Sequence, residues 1–366
     1  MILTRLTLQG FRNLEPLSLS PHPRFNVFAG HNGAGKSNLL ESIYLLASAK
    51  SFRGAKNRDL PNIQGKTAKI EADIDRSGLS TELACEINDG RKKFSINGKG
   101  ISSFAEFSGT LSAVVFSPSD LSLLQGSASE RRSFIDRVIC GTSSTHIGDL
   151  QNFEQALKAR NQLLKEERIN RSLVDVYTEQ LIPLAVRITQ RRRAAVRDMQ
   201  PMVQAAFSQI FSPDFEFSWT YELGWSSENL SQDEDDSLTK LLEREFEGAW
   251  QAERRLGHTR VGPHRDDVIV SLNGMPAREF ASQGQTRAAV LALKMTEIAY
   301  LRERNQQNPV LLLDDVSSEL DALRNEQLFA FIRENQGQTF ITTTDRKYIR
   351  VGDDAISFQV AGGRVT

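Results

Sequence analysis

The chain has 366 residues, of which 39% are hydrophobic and 25% charged, with a formal net charge of −1; that is enough for one large or two ordinary domains with a real core. The near balance excludes a wholly basic nucleic-acid coat but not a local basic patch, because binding follows the distribution of charge and not its sum. Cys85 and Cys140, the two cysteines, have neither metal nor redox spacing, and no apolar run approaches the length of a membrane span, so the expectation is a cytoplasmic protein with no membrane partner.

Ile2 to Leu8 alternates as a strand and runs into Gly10-Phe11-Arg12-Asn13-Leu14. After one short apolar run, Phe25 to Ala29, comes Gly30-His31-Asn32-Gly33-Ala34-Gly35-Lys36-Ser37-Asn38, which fits G-x-x-x-x-G-K-[ST], and then Leu39, Leu40, Ile43 and Leu46 at helical spacing. In such a strand, loop and helix the glycines let backbone N–H groups face a phosphate, and the positive end of the helix points at the same spot. Lys36 would reach the β- and γ-phosphates, and Ser37 would offer its hydroxyl to Mg²⁺. The basic stretch Lys50 to Arg58 reads either as a solvated loop or as one that meets phosphate.

Alternation in Lys69 to Asp75 and Thr81 to Ile87, with turns at Asn88-Asp89-Gly90 and Asn97-Gly98, predicts an added antiparallel sheet. Val114-Val115-Phe116 reads as a buried strand ending in the turn Ser117-Pro118-Ser119-Asp120. From Leu121 to about Phe211 the period is helical, with stripes at Phe134, Ile135, Val138 and Ile139, at Leu150, Phe153, Leu157 and Leu164, and at Leu173, Val174, Tyr177, Leu181 and Leu184. Pro183 marks a place for a kink. Arg187, Arg191, Arg192, Arg193 and Arg197 form a cluster that reads either as a solvated face or as a contact with DNA backbone.

Phe215, Phe217, Trp219 and Tyr221 alternate as an aromatic strand of the core, and Asp233 to Asp236 as a solvated acidic loop. Gly262-Pro263-His264-Arg265-Asp266-Asp267 is too rich in turn formers and charges for packing alone. A strand over Val268 to Leu272 and an Asn273-Gly274 turn precede Phe280-Ala281-Ser282-Gln283-Gly284-Gln285, which opens a strongly periodic helix and offers a second anion-binding end. Val310-Leu311-Leu312-Leu313-Asp314-Asp315 is a buried parallel strand delivering two acids at its C-terminal end, where an open α/β sheet places its ligands. Asp314 would hold Mg²⁺, and Asp315 would orient the attacking water or accept its proton. Ser317-Ser318-Glu319-Leu320-Asp321 follows, then a helix through Leu328, Phe331 and Ile332 and a last strand, Thr339 to Thr343.

Taken in this order, the phosphate loop, Ser282-Gln283-Gly284-Gln285, the strand ending in Asp314-Asp315 and Ser-Glu-Leu-Asp321 resemble an ATPase of the ABC class. Within that class the chain resembles the RecF family of bacterial recombination-repair proteins. That closer likeness rests on Ser117-Pro118-Ser119-Asp120-Leu121, on Gly126 followed by Arg131-Arg132-Ser133-Phe134-Ile135-Asp136, on Gly262 to Asp267 and on Phe280 to Gln285. The resemblance implies an α/β, ABC-type P-loop ATPase head with an added antiparallel sheet and a helical second lobe, too short for a long coiled coil. Residues 1–116 and 258–366 would form the head, and 117–257 the helical lobe. It implies two half-sites, with Lys36, Ser37 and Asp314 of one subunit facing Ser282, Gly284 and Gln285 of another, Asp321 lying near the nucleotide. ATP would then glue a homodimer and slow hydrolysis release it. Double-stranded and gapped DNA, RecO and RecR would be partners in placing RecA. In the departures, Ser119 and Ala128 replace an acidic residue and a proline, Asp315 replaces the usual Glu, and Thr344 replaces the switch histidine. A nucleotide-binding subunit of a transporter, or a head of another chromosome-maintenance ATPase, would share the ATP motifs.

Overall fold

The computed structural model describes residues 1–62, 65–228, 235–316, 321–335, 337–345, 349, 351 and 354–366. The chain forms two compact units, each discontinuous in sequence: Met1–Leu121 with Gln209–Ser212 and Gln283–Thr366, and Ser122–Ser208 with Pro213–Ser282.

The first unit holds two sheets. Strands β1 (Ile2–Gln9), β2 (Leu17–Leu19), β4 (Thr67–Arg76), β5 (Leu79–Asn88), β6 (Arg91–Ile96) and β7 (Lys99–Gly100) form an antiparallel sheet in the order β2-β1-β4-β5-β6-β7. Its tight turns follow from residues that tolerate the left-handed region: φ is 46° at Asp89 and 75° at Gly90, 50° at Asn97 and 73° at Gly98. The inward-facing residues of β4, among them Ala68, Ile70, Ala72 and Ile74, are buried every second position, as the alternation requires. Cys85 on β5 is buried too, and burial pushes its thiol up to about 12, so it is inert packing.

The second sheet is built on parallel strands. β3 (Phe25–Ala29), β8 (Ala113–Phe116), β12 (Val310–Asp314), β13 (Thr339–Thr343), β14 (Ala355–Ala361) and β15 (Arg364–Val365) lie in the order β15-β14-β3-β13-β12-β8. All pairs from β14 to β8 are parallel, and only β15 returns antiparallel. β3, β12 and β13 are buried along their full length, which suits the mostly apolar composition of β3 and β12, while β13 buries three threonines as well as Phe340 and Ile341. Helices α1 (Lys36–Ser48), α2 (Phe104–Phe107), α9 (Gln283–Asn305) and α10 (Ala322–Asn335) belong to this unit. The β14–β15 hairpin, turned by Gly362-Gly363, escaped the sequence reading, which ended at Thr343; β14 is short of buried apolar positions and gives a weak alternating signal.

The second unit is mainly helical. It contains α3 (Ser122–Gln125), α4 (Ala128–Cys140), α5 (Ser144–Leu163), most of α6 (Arg171–Ile210), α7 (Asp235–Leu256) and α8 (Ala277–Phe280). A small antiparallel sheet, β11-β10-β9, is made from β9 (Phe217–Glu222), β10 (Asp267–Leu272) and β11 (Met275–Pro276). α4 starts with a capping box in which Ser127 and Glu130 satisfy each other's backbone amides. α6 runs 40 residues, ~60 Å at 1.5 Å per residue, and both Pro183 and Pro201 lie inside it. Leu173, expected in its apolar stripe, is 46% exposed, while Val174, Leu181 and Leu184 are buried.

The return to the first unit falls at Gln283, not at residue 258, so Gly262 to Ser282 belongs with the helical unit. Of the expected acidic loop Asp233 to Asp236, Asp233 and Glu234 lie outside the described residues, as does Ser317-Ser318-Glu319-Leu320, whereas Asp235 and Asp236 open α7 and are helical. Among the described residues no helix is long and apolar enough to cross a membrane.

Candidate nucleotide-binding site

The loop between β3 and α1 is shaped by its backbone. Gly33 has φ 80° and Gly35 φ 112°, a region that L side chains rarely adopt. Gly30 has no room for a side chain: an added Cβ would lie 2.1 Å from the Val360 carbonyl oxygen. The loop is pinned from outside as well, because the Gly30 amide donates to Thr343 O (3.3 Å), the Gly363 amide to Ala34 O (3.0 Å) and Asn13 Nδ2 to Gly33 O (3.1 Å). His31, Asn32 and Gly33 are exposed at its crest, while Ala34, Gly35 and Lys36 are buried. Among the described residues no side chain caps the start of α1. Its first amides are therefore left for an anion, as helix geometry dictates.

Lys36 folds back and donates to Gly30 O (2.7 Å) and His31 O (3.0 Å). Burial holds its ammonium below the ordinary lysine range, opposed by the Asp315 and Asp314 carboxylates. Ser37 Oγ donates to Asp314 Oδ1 at 2.6 Å, joining the helix start to the end of β12 across 277 residues. Asp314 also accepts from Thr342 Oγ1 (2.9 Å), and the Asp315 amide donates to the same hydroxyl (3.0 Å). Asp315 is half-buried with φ 50°. The phosphate-loop residues and both acids thus meet at the C-terminal ends of the parallel strands β3 and β12, on either side of β13.

The donor chemistry fits MgATP. A hydroxyl and a carboxylate oxygen within hydrogen-bond reach are hard ligands of the kind Mg²⁺ takes alongside substrate phosphates. A buried ammonium held by two carbonyls, beside a helix end with no side-chain cap among the described residues, suits an oligophosphate.

The other expected residues are placed as follows. Asn38 Nδ2 donates to Asn13 Oδ1 (2.7 Å) and its Oδ1 accepts from Arg53 (2.9 Å), so one arginine of the basic loop Lys50 to Arg58 reaches the phosphate-loop helix. Ser282 is exposed, and Gly284 and Gln285 are half-buried in the first turn of α9. Asp321 accepts from the Arg324 amide (2.9 Å) and pairs with its guanidinium, capping α10 and holding its carboxyl below the usual range. Thr344 is exposed just past β13. Sequence reading missed Asn13 and Thr342, which belong to no nucleotide motif; Thr342 is one of three threonines in β13, and nothing in that strand's sequence sets it apart.

At Arg192 neither the expected solvated face nor the expected DNA contact is found. Arg192 is 4% exposed and makes paired bonds to Asp136 (2.8 Å each), with a further bond to Pro263 O (2.6 Å), so it cannot lie on a DNA-facing surface. Arg187 and Arg191 are both drawn to Asp149 (2.8 and 2.6 Å), and Arg193 is half-buried. The motifs around Arg131 and Asp266 meet each other instead: Arg131 grips Asp267 through two bonds of 2.8 Å, Arg132 donates to Asp266 O (2.6 Å), and Tyr221 donates to Asp266 Oδ2. Their role in this unit is an internal ion network.

Comparison with known proteins agrees with this architecture. The family described as RecF/RecN/SMC N terminal domain matches residues 2–365. The chain is 38% identical over 100% of both chains to the DNA replication and repair protein RecF of Citrifermentans bemidjiense, and 39% identical, again over 100% of both, to that of Geobacter sulfurreducens. Among solved structures, the recombination mediator protein RecF-ATP in the RecFOR pathway superposes with a TM-score of 0.92 at 29% identity, covering 100% of this chain and 97% of that one. The Smc head domain of Pyrococcus furiosus, at 15% identity and a TM-score of 0.54 over 100% of this chain and 95% of that one, shares the fold. The architecture is accordingly that of an ABC-type ATPase head with an added antiparallel sheet and a helical second unit. With the phosphate loop, the acid pair and full-length similarity in agreement, the chain belongs to the RecF/RecN/SMC N-terminal domain family and, within it, to the RecF proteins.

Proposed function

We propose that this chain is an ATP-dependent DNA-binding protein of DNA replication and recombinational gap repair, working in the RecFOR pathway. The observation that carries the reading is the junction of Ser37, Asp314 and Thr342 beside the buried Lys36, in a chain similar over its whole length to proteins named for DNA replication and repair. In this reading residues Gly30 to Asn38 cradle ATP, and Lys36 turns from its carbonyl partners to the β- and γ-phosphates. Ser37 and Asp314 hold Mg²⁺, which supplies charge neutralisation to the phosphates when bound. Asp315 orients the attacking water; being one methylene shorter than Glu, it gives slow turnover, and that turnover depends on DNA. Ser282, Gly284 and Gln285 of one subunit, with Asp321, close over the nucleotide of another, so ATP binding makes a homodimer and hydrolysis releases it. The dimer holds double-stranded and gapped DNA in the cytoplasm and acts with RecO and RecR to help load RecA.

Sedimentation of the purified chain with ATP and Mg²⁺, with and without a gapped duplex and at two salt concentrations, tests this. A nucleotide-dependent dimer that binds DNA more weakly at high salt is expected, and Lys36→Ala should abolish the nucleotide response. A monomer indifferent to both ATP and DNA would remove the reading.

A further inference from the structure

β13 lies between β3 and β12, with Thr342 directly opposite Asp314 in the parallel register. Its neighbours Phe340 and Ile341 are apolar and buried, and Thr342 itself is 0% exposed, so valine would fill the position as well as threonine if packing were the only demand. A buried hydroxyl is costly unless it is bonded, and this one is bonded three ways. It donates to Asp314 Oδ1 (2.9 Å) or, alternatively, to Leu313 O (3.3 Å), and it accepts the Asp315 amide proton (3.0 Å). One hydroxyl proton serves one of the two acceptors at a time. The next threonine, Thr343, points its hydroxyl elsewhere, to the Asp345 carbonyl (2.9 Å), as neighbours on a strand should.

Two consequences follow for the acids. Asp314 Oδ1 takes hydroxyl protons from Ser37 and Thr342, from two different elements, which restrains rotation of the carboxylate. Asp315 has φ 50°, a left-handed conformation that few residues besides glycine, asparagine and aspartate adopt, and the bond from its amide to Thr342 secures it there.

We propose that Thr342 is a positioning residue: its buried hydroxyl ties both Asp314 and Asp315 to the neighbouring strand and thereby sets where the metal ligand and the water-orienting carboxylate stand. This inference rests on the nucleotide reading above and adds to it a residue outside every nucleotide motif. Partners of metal ligands typically matter by about 10–100-fold in metal affinity or activity.

The test compares Thr342→Val, which keeps shape and removes the hydroxyl, with Thr342→Ser, which restores it. Three readouts are taken: ATP affinity without metal, Mn²⁺ affinity in the presence of a non-hydrolysable ATP analogue by electron paramagnetic resonance, and steady-state hydrolysis of MgATP. In the valine variant metal-free ATP affinity should be unchanged, whereas Mn²⁺ affinity and kcat should fall by about 10–100-fold with little change in KM. Serine should recover both. Wild-type Mn²⁺ affinity and kcat in the valine variant would overturn the proposal, as would a serine variant as impaired as valine, since that would mark lost packing. If the unmodified protein binds neither ATP nor the Mn²⁺ complex, the nucleotide reading fails and this inference with it; if the unmodified protein binds both and valine changes nothing, only the inference fails.

Discussion

Asp266 is fully buried, and burial pushes its carboxyl from 3.8 up to about 6, against the pull of the Tyr221 hydroxyl and the Arg192 guanidinium. A carboxyl whose pKa is higher in the folded than in the unfolded chain keeps its proton more tightly when folded. Its contribution to stability is therefore fully present below pH 3.8 and is lost as pH rises towards about 6. Asp136 and Asp149 act in the opposite sense: their pairing with His146 and Arg192, and with Arg187 and Arg191, outweighs burial and holds both below the usual range, so they lose stability as pH falls. Asp266→Asn isolates the first term. Urea unfolding of wild type and variant across this window should show the stability difference moving in the variant's favour as pH rises from 4 to 6, then levelling. A difference that stays flat across the window would mean that Asp266 is ionised throughout in the folded protein.

Among the elements, α5, α6 and α7 are joined by a buried arginine that no apolar stripe announces. Arg160 on α5 is 2% exposed; it bonds Thr178 Oγ1 on α6 (2.9 Å) and Thr259 Oγ1 (2.8 Å), pairs with Glu253 on α7 (2.8 Å) and stacks over the Phe246 ring at 5.0 Å. Glu253 is itself 0% exposed and accepts the Arg260 amide (2.6 Å). Removing the cation alone leaves a carboxylate buried without its counter-charge. Arg160→Met should therefore destabilise the helical unit by about 3–5 kcal/mol, read as a lower midpoint in urea unfolding. Arg160→Met with Glu253→Leu should recover much of that loss, because well-packed apolar replacements of a buried pair are often neutral. A double variant as unstable as the single one would show that packing around Arg160, not the unpaired charge, sets the cost.

For the whole molecule, the nucleotide-binding unit is assembled from sequence ends that lie far apart. β3 comes from the first thirty residues and β12 and β13 from the last sixty, and they become neighbours only in the sheet order β14-β3-β13-β12-β8. If the site is completed by a second subunit, Ser282→Ala should leave ATP binding by a lone subunit intact and abolish ATP-dependent dimerisation, measured by nucleotide titration and sedimentation of the same preparation. Loss of binding by the monomer would place Ser282 in its own subunit's site instead.

Much of this was legible in the chain before folding. The phosphate loop, the hairpin turns at Asp89-Gly90, Asn97-Gly98 and Asn273-Gly274, the buried strand ending in Asp314-Asp315 and the order of the family motifs are local: they depend on backbone freedom, residue period and spacing, all of which a sequence carries. What only the tertiary structure decided is which distant groups meet. Arg192 reads as part of a basic run, yet Asp136, 56 residues away, consumes it, and Arg131 finds Asp267 across 136 residues. Thr342 looks like any strand threonine until β13 is laid beside β12. A charge or hydroxyl has the same chemistry wherever it stands in the sequence, but its use is set by the partner within about 3 Å, and that distance exists only once the chain has closed on itself.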